Sequence, residues 1–331
     1  MSARGRIVPI FIPHAGCPHD CVFCNQREIS SCRRPPDPTV VCEIISRCLD
    51  VSGEKPEIAF YGGSFTALPL SEQRGFLSSA RSFGDRISGI RVSTRPDAVD
   101  GERLRLLREY GVTVIELGAQ SMDDDVLCMS RRGHTAEDVE RACADIRRYP
   151  FTLIVQLMTG LPGDTREKSV LSARRVRALA PDAARIYPVV VVAGTALESM
   201  WHSGEYMPPA LDEAIETAAD MLCALAPVPV IRIGLNPTEE LSGGAALAGA
   251  YHPALGEMVR SRLLLRRMLG IVESAPAGNI RLLFARQELP AAIGQKRENI
   301  LRLRYMFPGR RIEVSRSDAV APGEIGIEVT L

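Results

Sequence analysis

Short apolar runs alternate with longer amphipathic stretches along most of the chain. Residues 6–12, 57–61, 90–93, 112–117, 151–158 and 184–192 are rich in Val, Ile and Phe and predict strands. Residues 37–50, 68–83, 101–110, 135–149 and 165–179 have helical periodicity and predict helices between them. Thr135 with Asp138 three residues on predicts a capped start to the fourth of these helices. A further helix over 208–225 completes six strand–helix alternations, and 228–234 is a candidate seventh strand. This pattern predicts βαβ units and a parallel sheet. Beyond it, the Gly/Ala-rich stretch 241–249 reads as a loop or linker. A helix over 257–269 follows, then a strand at 279–284, a helix at 295–306 and strands at 311–314 and 325–330. The organisation expected is therefore a core over 1–240 and a small basic α+β domain over 241–331.

In parallel α/β folds the chemistry lies at the C-terminal ends of the strands. The glycine-rich and polar signatures of this chain all follow predicted strands, so they should meet on one rim. Gly62-Gly63-Ser64 follows the second strand, where glycines expose backbone and let a ligand approach. Thr94-Arg95-Pro96-Asp97, Gly118-Ala119-Gln120-Ser121 and Gly160-Leu161-Pro162-Gly163-Asp164 follow the third, fourth and fifth.

The chain of 331 residues has 46% hydrophobic and 24% charged residues, ordinary for a soluble globular protein. It contains no apolar run long enough to span a membrane, and a short polar start rather than a signal peptide, so a cytoplasmic protein is expected. Net charge is zero but unevenly placed. From Arg260 to Arg316 there are 13 Lys and Arg against 4 Asp and Glu, a basic segment able to attract phosphate. Nine irregularly spaced cysteines argue against a disulfide framework.

Three of those cysteines, Cys17, Cys21 and Cys24, stand on the short stretch after the first strand. Thiolates are soft ligands, and three on one loop can each hold one iron of a [4Fe-4S] cluster, leaving the fourth iron open to substrate. A structural zinc loop or scattered buried thiols are the alternatives, with Cys32 as the one candidate for a fourth ligand. His14 and His19 flank the loop.

The stretches Cys-Pro-His-Asp-Cys-Val-Phe-Cys-Asn-Gln (17–26), Tyr-Gly-Gly-Ser-Phe-Thr-Ala-Leu (61–68), Ser-Thr-Arg-Pro-Asp (93–97), Glu-Leu-Gly-Ala-Gln-Ser (116–121) and Gly-Leu-Pro-Gly-Asp (160–164) occur in one order over 7–197. Together they resemble the radical SAM domain of the Elp3-like family. Arg-Arg-Gly-His-Thr (131–135) and Arg-Ile-Tyr-Pro (185–188) also fit, and are similar to the oxygen-independent coproporphyrinogen oxidases. The resemblance implies an α/β fold, a partial open (β/α)6 TIM-like barrel with a small C-terminal α+β appendage.

The resemblance further implies a [4Fe-4S] cluster bound by Cys17, Cys21 and Cys24, with S-adenosylmethionine (SAM) on the open iron. Phe23 would lie against the adenine. Gly62, Gly63 and Ser64 would hold the SAM amino group, and Arg95 and Arg132 are candidates for its carboxylate. Glu116 and Gln120 would meet the ribose or methionine end. Gln156 stands where the porphyrin enzymes tend to carry Asp, which leaves its ribose contact open. The implied reaction is reductive cleavage of SAM to a 5′-deoxyadenosyl radical that abstracts a hydrogen atom from substrate. It needs a one-electron reductant such as a flavodoxin or ferredoxin.

Full-length Elp3 enzymes carry an acetyltransferase domain and modify wobble uridine in tRNA. The tail of this chain shows no Arg/Gln-x-x-Gly-x-Gly/Ala loop for acetyl-CoA, so no acetyl-CoA domain is expected and a short bacterial form is implied. Three substrate readings stay open: RNA, above all tRNA; a small molecule such as a tetrapyrrole; or a non-catalytic iron–sulfur protein that binds RNA or a partner. Tyr305 and Phe307 interleaved with Arg302, Arg304 and Arg310 suit RNA, and core packing accounts for the two aromatics at least as well. Tyr251 and His252 are the candidate substrate-facing residues.

Overall fold

In a computed structural model of the protein, residues 6–30, 32, 34–50, 55–236, 238–239 and 241–330 are described. The chain divides into two compact units, one ending at Tyr251 and one beginning at His252.

The first unit is built on a seven-stranded parallel sheet. In chain order its strands are β1 (Ile7–Phe11), β2 (Glu57–Tyr61), β3 (Gly89–Thr94), β4 (Val112–Gln120), β5 (Thr152–Thr159) and β6 (Ala183–Pro188). After the short β7 (Val190–Val192), β8 (Val230–Ile233) adds to β6 as the seventh strand. Spatial order follows chain order, β1-β2-β3-β4-β5-β6-β8, each strand lying beside its predecessor in the chain apart from β7. This is the expected open α/β barrel. The run expected as one strand over 184–192 breaks at Val189, because β7 leaves the sheet to pair antiparallel with β9 (Ala246–Gly249). That pairing is the physical reason residues 241–251 stay with the first unit rather than forming a linker.

Alternation within the strands assigns the two faces. Ile10, Phe60, Val92, Ile115, Leu117, Val155, Leu157 and Ile186 are fully buried. Residues between them, including Phe11, Tyr61, Glu116, Gln156 and Arg185, line one cavity. Helices Leu70–Arg81, Gly101–Glu109, Ala136–Ile146 and Arg166–Ala178 fall close to the predicted ranges. Thr135 and Asp138 form the reciprocal capping box that the sequence predicts.

The second unit has β10 (Asn279–Phe284) at the centre of a three-stranded sheet, parallel to β11 (Ile312–Arg316) and antiparallel to β12 (Gly326–Thr330). Helix Leu255–Ser274 covers it with Leu264, Leu265, Met268 and Val272. Helix Glu298–Met306 adds Leu303 to the same core.

Candidate functional site

The cysteine loop leaves β1 and docks on the glycine turn that ends β2. The Ile12 amide donates to the Tyr61 carbonyl at 2.7 Å, the His14 amide to Gly62 at 2.8 Å, and the Ser64 amide to Ala15 at 2.9 Å. Such close docking needs glycine. A Cβ on Gly63 would overlap the Ala15 carbonyl and stand 2.6 Å from that of Ile12. Gly16 has φ +72°, and a Cβ there would overlap the Ser64 carbonyl. Buried Phe65 fixes the turn from behind, its ring 5.1 Å from that of Phe60. The expected result of Gly63→Ala is separation of the two loops and a loss of about 1–3 kcal/mol in a urea melt of the apoprotein. A midpoint equal to wild type would contradict the docking.

Cys17, Cys21 and Cys24 all line one cavity of about 630 Å³ at the C-terminal ends of the strands. Burial raises the Cys17 thiol pKa and pushes that of Cys24 to about 12, so without a metal these sulfurs stay protonated. Positive charge stands ready to offset thiolates. Arg132 donates to Cys21 Sγ at 3.1 Å and to the Gly118 carbonyl at 2.7 Å. Gln26 Nε2 donates to Cys24 Sγ at 3.5 Å. Among the described residues, no three His, Cys, Asp or Glu side chains converge on one metal ion. Ligands of a cubane cluster sit on separate irons and need not converge. The donor set therefore fits a cluster held at three corners. The Cys32 thiol instead meets the Arg34 carbonyl at 3.1 Å.

The residues expected around SAM fall into two groups. Phe23, Gly62, Gly63, Arg95, Gln120, Arg132 and Gln156 share the cavity wall with the cysteines. Arg95 is buried and held by Asp97 at 2.9 Å and by the Arg132 carbonyl. Gln120 has φ +68°, and its Oε1 accepts from Gln156 Nε2 at 3.2 Å, clipping β4 to β5. Ser64 is different: it is fully buried, and its hydroxyl is 3.2 Å from that of Thr94, behind the wall.

Glu116 also lines the cavity, but as the hub of an ion-pair cluster. Its Oε1 accepts from Arg91 at 2.5 Å, from Arg185 at 2.6 Å and from the Tyr61 hydroxyl at 3.1 Å. Burial and the Glu116 charge together push the Tyr61 pKa to about 12. Burial opposes the charge on Arg185, yet Glu116 holds its pKa above the usual arginine value. Arg185, Tyr187 and Arg232 line the cavity and Arg91 pairs with Glu116 beside it, yet the sequence alone assigns none of the four a site role, even though Arg185 and Tyr187 lie in the 185–188 motif. Their signal was a charged or polar residue at an inward position of an otherwise apolar strand.

Tyr251 is not on the cavity wall; its hydroxyl is 3.0 Å from that of Ser242. His252 Nδ1 accepts from the Ala254 amide at 3.1 Å, at the start of the second unit.

His134 backs the Arg132 guanidinium, its Nε2 accepting from Arg132 Nε at 3.3 Å. Its Nδ1, 3.3 Å from the Thr135 carbonyl, therefore carries the proton. Burial and the neighbouring Arg132 charge lower its pKa to about 4. The folded state thus binds this proton later than the unfolded chain does, and stability is lost as pH falls from about 6.5 towards 4. The expected loss over that window is on the order of 3 kcal/mol, and His134→Gln should flatten it. Equal pH slopes for the two proteins in denaturant melts would contradict this.

Comparison with known proteins bears on the same residues. The radical SAM superfamily model matches residues 11–174, and the radical SAM C-terminal domain model matches 181–264. An uncharacterized protein of Methanocaldococcus jannaschii is 32% identical over 235 residues, covering 66% of this chain and 71% of that protein. The chain belongs to the radical SAM superfamily. Radical SAM proteins use a [4Fe-4S] cluster and SAM, which agrees with the three thiols and the glycine turn on one cavity. The tRNA uridine(34) acetyltransferase of Dehalococcoides mccartyi is 29% identical over 231 residues, 63% of this chain and 50% of that protein. The chain thus spans half the length of that curated relative. Among solved structures, the archaeal Methanocaldococcus infernus Elp3 with an N-terminal deletion aligns with a TM-score of 0.63 at 22% identity, covering 81% of this chain and 64% of that one. This last likeness shows the radical SAM fold. No helix among the described residues is long and apolar enough to cross a membrane.

Proposed function

We propose that this radical SAM enzyme abstracts a hydrogen atom from RNA, with tRNA as the substrate class. The observation that carries the chemistry is the single cavity on which the three thiols, the Gly62-Gly63 turn and two buried arginines meet. Cys17, Cys21 and Cys24 would hold the cluster. The bound cluster and SAM supply a one-electron reductive cleavage and a carbon-centred radical. The chain's own groups bind and orient. Arg95 and Arg132 present fixed cations to a carboxylate, Gly62 and Gly63 offer exposed backbone, and Phe23 gives an apolar face. Phe23 packs beside buried Val22, Val126 and Leu161, which keeps that side of the cavity dry.

The RNA reading draws support from the similarity to the tRNA uridine(34) acetyltransferases and from the second unit. On helix Glu298–Met306, Tyr305 is 79% exposed, and Arg302 and Arg304, within one turn of it, are exposed as well. An exposed aromatic within one helical turn of two exposed arginines suits stacking on an unpaired base and contact with phosphate. Two residues of the predicted set serve the fold instead. Phe307 packs on the core of the second unit, and Arg310 donates to the carbonyls of Gly278 at 3.0 Å and Val272 at 2.9 Å. The reductant would be a flavodoxin- or ferredoxin-like protein, and the compartment the cytoplasm.

The test is anaerobic reconstitution, reduction with dithionite, and measurement of 5′-deoxyadenosine with and without bulk tRNA. Stimulation by tRNA, with deuterium passing from labelled tRNA into 5′-deoxyadenosine, is the expected result. SAM cleavage indifferent to tRNA, with no label transfer, would overturn the RNA reading. Arg302→Gln with Arg304→Gln is expected to lower the salt slope of tRNA binding by about two. An unchanged slope would remove this helix from the interface.

A further inference from the structure

We infer that the floor of the cavity, away from the cysteine loop, is a subsite for a phosphate group of the substrate, formed by Arg185, Arg232 and Tyr187. This rests on the reading of the cavity as the reaction site and adds to it a place for an anion.

Arg185 on β6 and Arg232 on β8 are paired in register on neighbouring parallel strands, and both line the cavity. Two like charges side by side on one face repel, and an anion placed against them turns that repulsion into binding. The carboxylates nearby do not balance the arginines. Glu116 is shared between Arg185 and Arg91, and Arg91 also takes Glu57 at 2.6 Å. Among the described residues, the hydrogen-bond partner of the Arg232 side chain is the side-chain oxygen of Asn236, and no carboxylate lies within ion-pair distance of it. On the cavity wall itself Arg185 and Arg232 thus face one carboxylate, Glu116, which Arg91 also shares, and one positive charge is left.

The donors are also unevenly used. Arg185 Nε is buried without a hydrogen-bond partner, while its other nitrogens hold Glu116 and, at 3.3 Å, the Tyr187 hydroxyl. An orphaned guanidinium N–H beside a cavity is a donor waiting for an acceptor. Arg185 is at the same time held from behind by Glu116 and lies over the Tyr61 ring at 5.9 Å, so its orientation is fixed before any ligand arrives. Two guanidinium groups and a phenol offer more donors than a carboxylate's two oxygens need, and they match the several oxygens of a phosphate.

The test is direct binding by calorimetry to the reconstituted protein, without reductant, using inorganic phosphate, adenosine 5′-monophosphate and acetate as probes. Phosphate and the monophosphate are expected to bind, acetate at least about tenfold more weakly, and Arg232→Gln to weaken phosphate about tenfold or more, as loss of one charged hydrogen bond predicts. Arg232→Lys should restore part of it, which separates a lost charge from a misfolded variant. Phosphate affinity unchanged in Arg232→Gln, or acetate bound as tightly as phosphate, would overturn the subsite. The outcome is separable from that of the function proposed above. Phosphate binding that depends on Arg232 in a protein that fails to cleave SAM leaves the subsite standing and removes the reaction. Cleavage of SAM without phosphate binding does the reverse.

Discussion

Cys21→Ala is expected to leave the protein unable to assemble its iron–sulfur cluster and to reduce 5′-deoxyadenosine formation by about three orders of magnitude or more. Two arguments set the size of the effect. First, the cluster carries the hard chemistry, and the protein's own groups only place it and its ligand. Second, the cysteines of the loop are not interchangeable with their surroundings. Cys21 is the sulfur that Arg132 approaches at 3.1 Å, and Arg132 also ties the loop to the Gly118 carbonyl. The loss should appear in iron and sulfide content before it appears in turnover. Because the loop is hydrogen-bonded to the β2 turn through backbone groups of Ile12, His14 and Ala15, the apoprotein should melt close to wild type. Full iron content and undiminished SAM cleavage in the Cys21→Ala protein would sink the cluster assignment.

Glu116→Ala is expected to destabilise the apoprotein by about 3–5 kcal/mol. The side chain is 2% exposed, and it is the shared partner of Arg91, Arg185 and the Tyr61 hydroxyl. Removing it leaves two guanidinium groups inside the barrel with one remaining carboxylate, Glu57, on Arg91 alone. Breaking one side of a buried pair costs far more than the pair contributes, because the surviving charge stays desolvated. A double variant, Glu116→Leu with Arg185→Met, should recover much of the loss, since both ends of one pair are then apolar. The measurement is chemical denaturation of the metal-free proteins. A loss below about 1 kcal/mol for the single variant would mean that water reaches the cluster of charges and screens it.

These two residues mark different limits of sequence reading. Cys21 was legible because its chemistry is local: three thiols within eight positions can be recognised without knowing where the loop goes. Glu116 was legible as a polar intruder in an apolar strand and in a motif, but its partners were not. Arg91, Glu116 and Arg185 lie on three strands separated by long crossovers, and only the sheet order makes them neighbours. Arg232 went unremarked for the same reason, its pairing with Arg185 being a matter of register between β6 and β8. The family resemblance places Ser64 with Gly62 and Gly63 at the SAM amino group. The turn rotates its hydroxyl towards Thr94, so adjacency and exposure part company.

The barrel form came with the family resemblance, while the sequence by itself determined the α/β class with its succession of strands and helices, the cysteine loop and the glycine turn. Each of these rests on periodicity or on spacing within a few residues, where covalent geometry limits the possible arrangements. Only the tertiary structure decided which of the basic residues face the cavity, which serve as structural donors, as Arg310 does, and where residues 241–251 belong. Those outcomes depend on strand register and on contacts between distant segments. A one-residue shift in register would carry a side chain from one face of the sheet to the other.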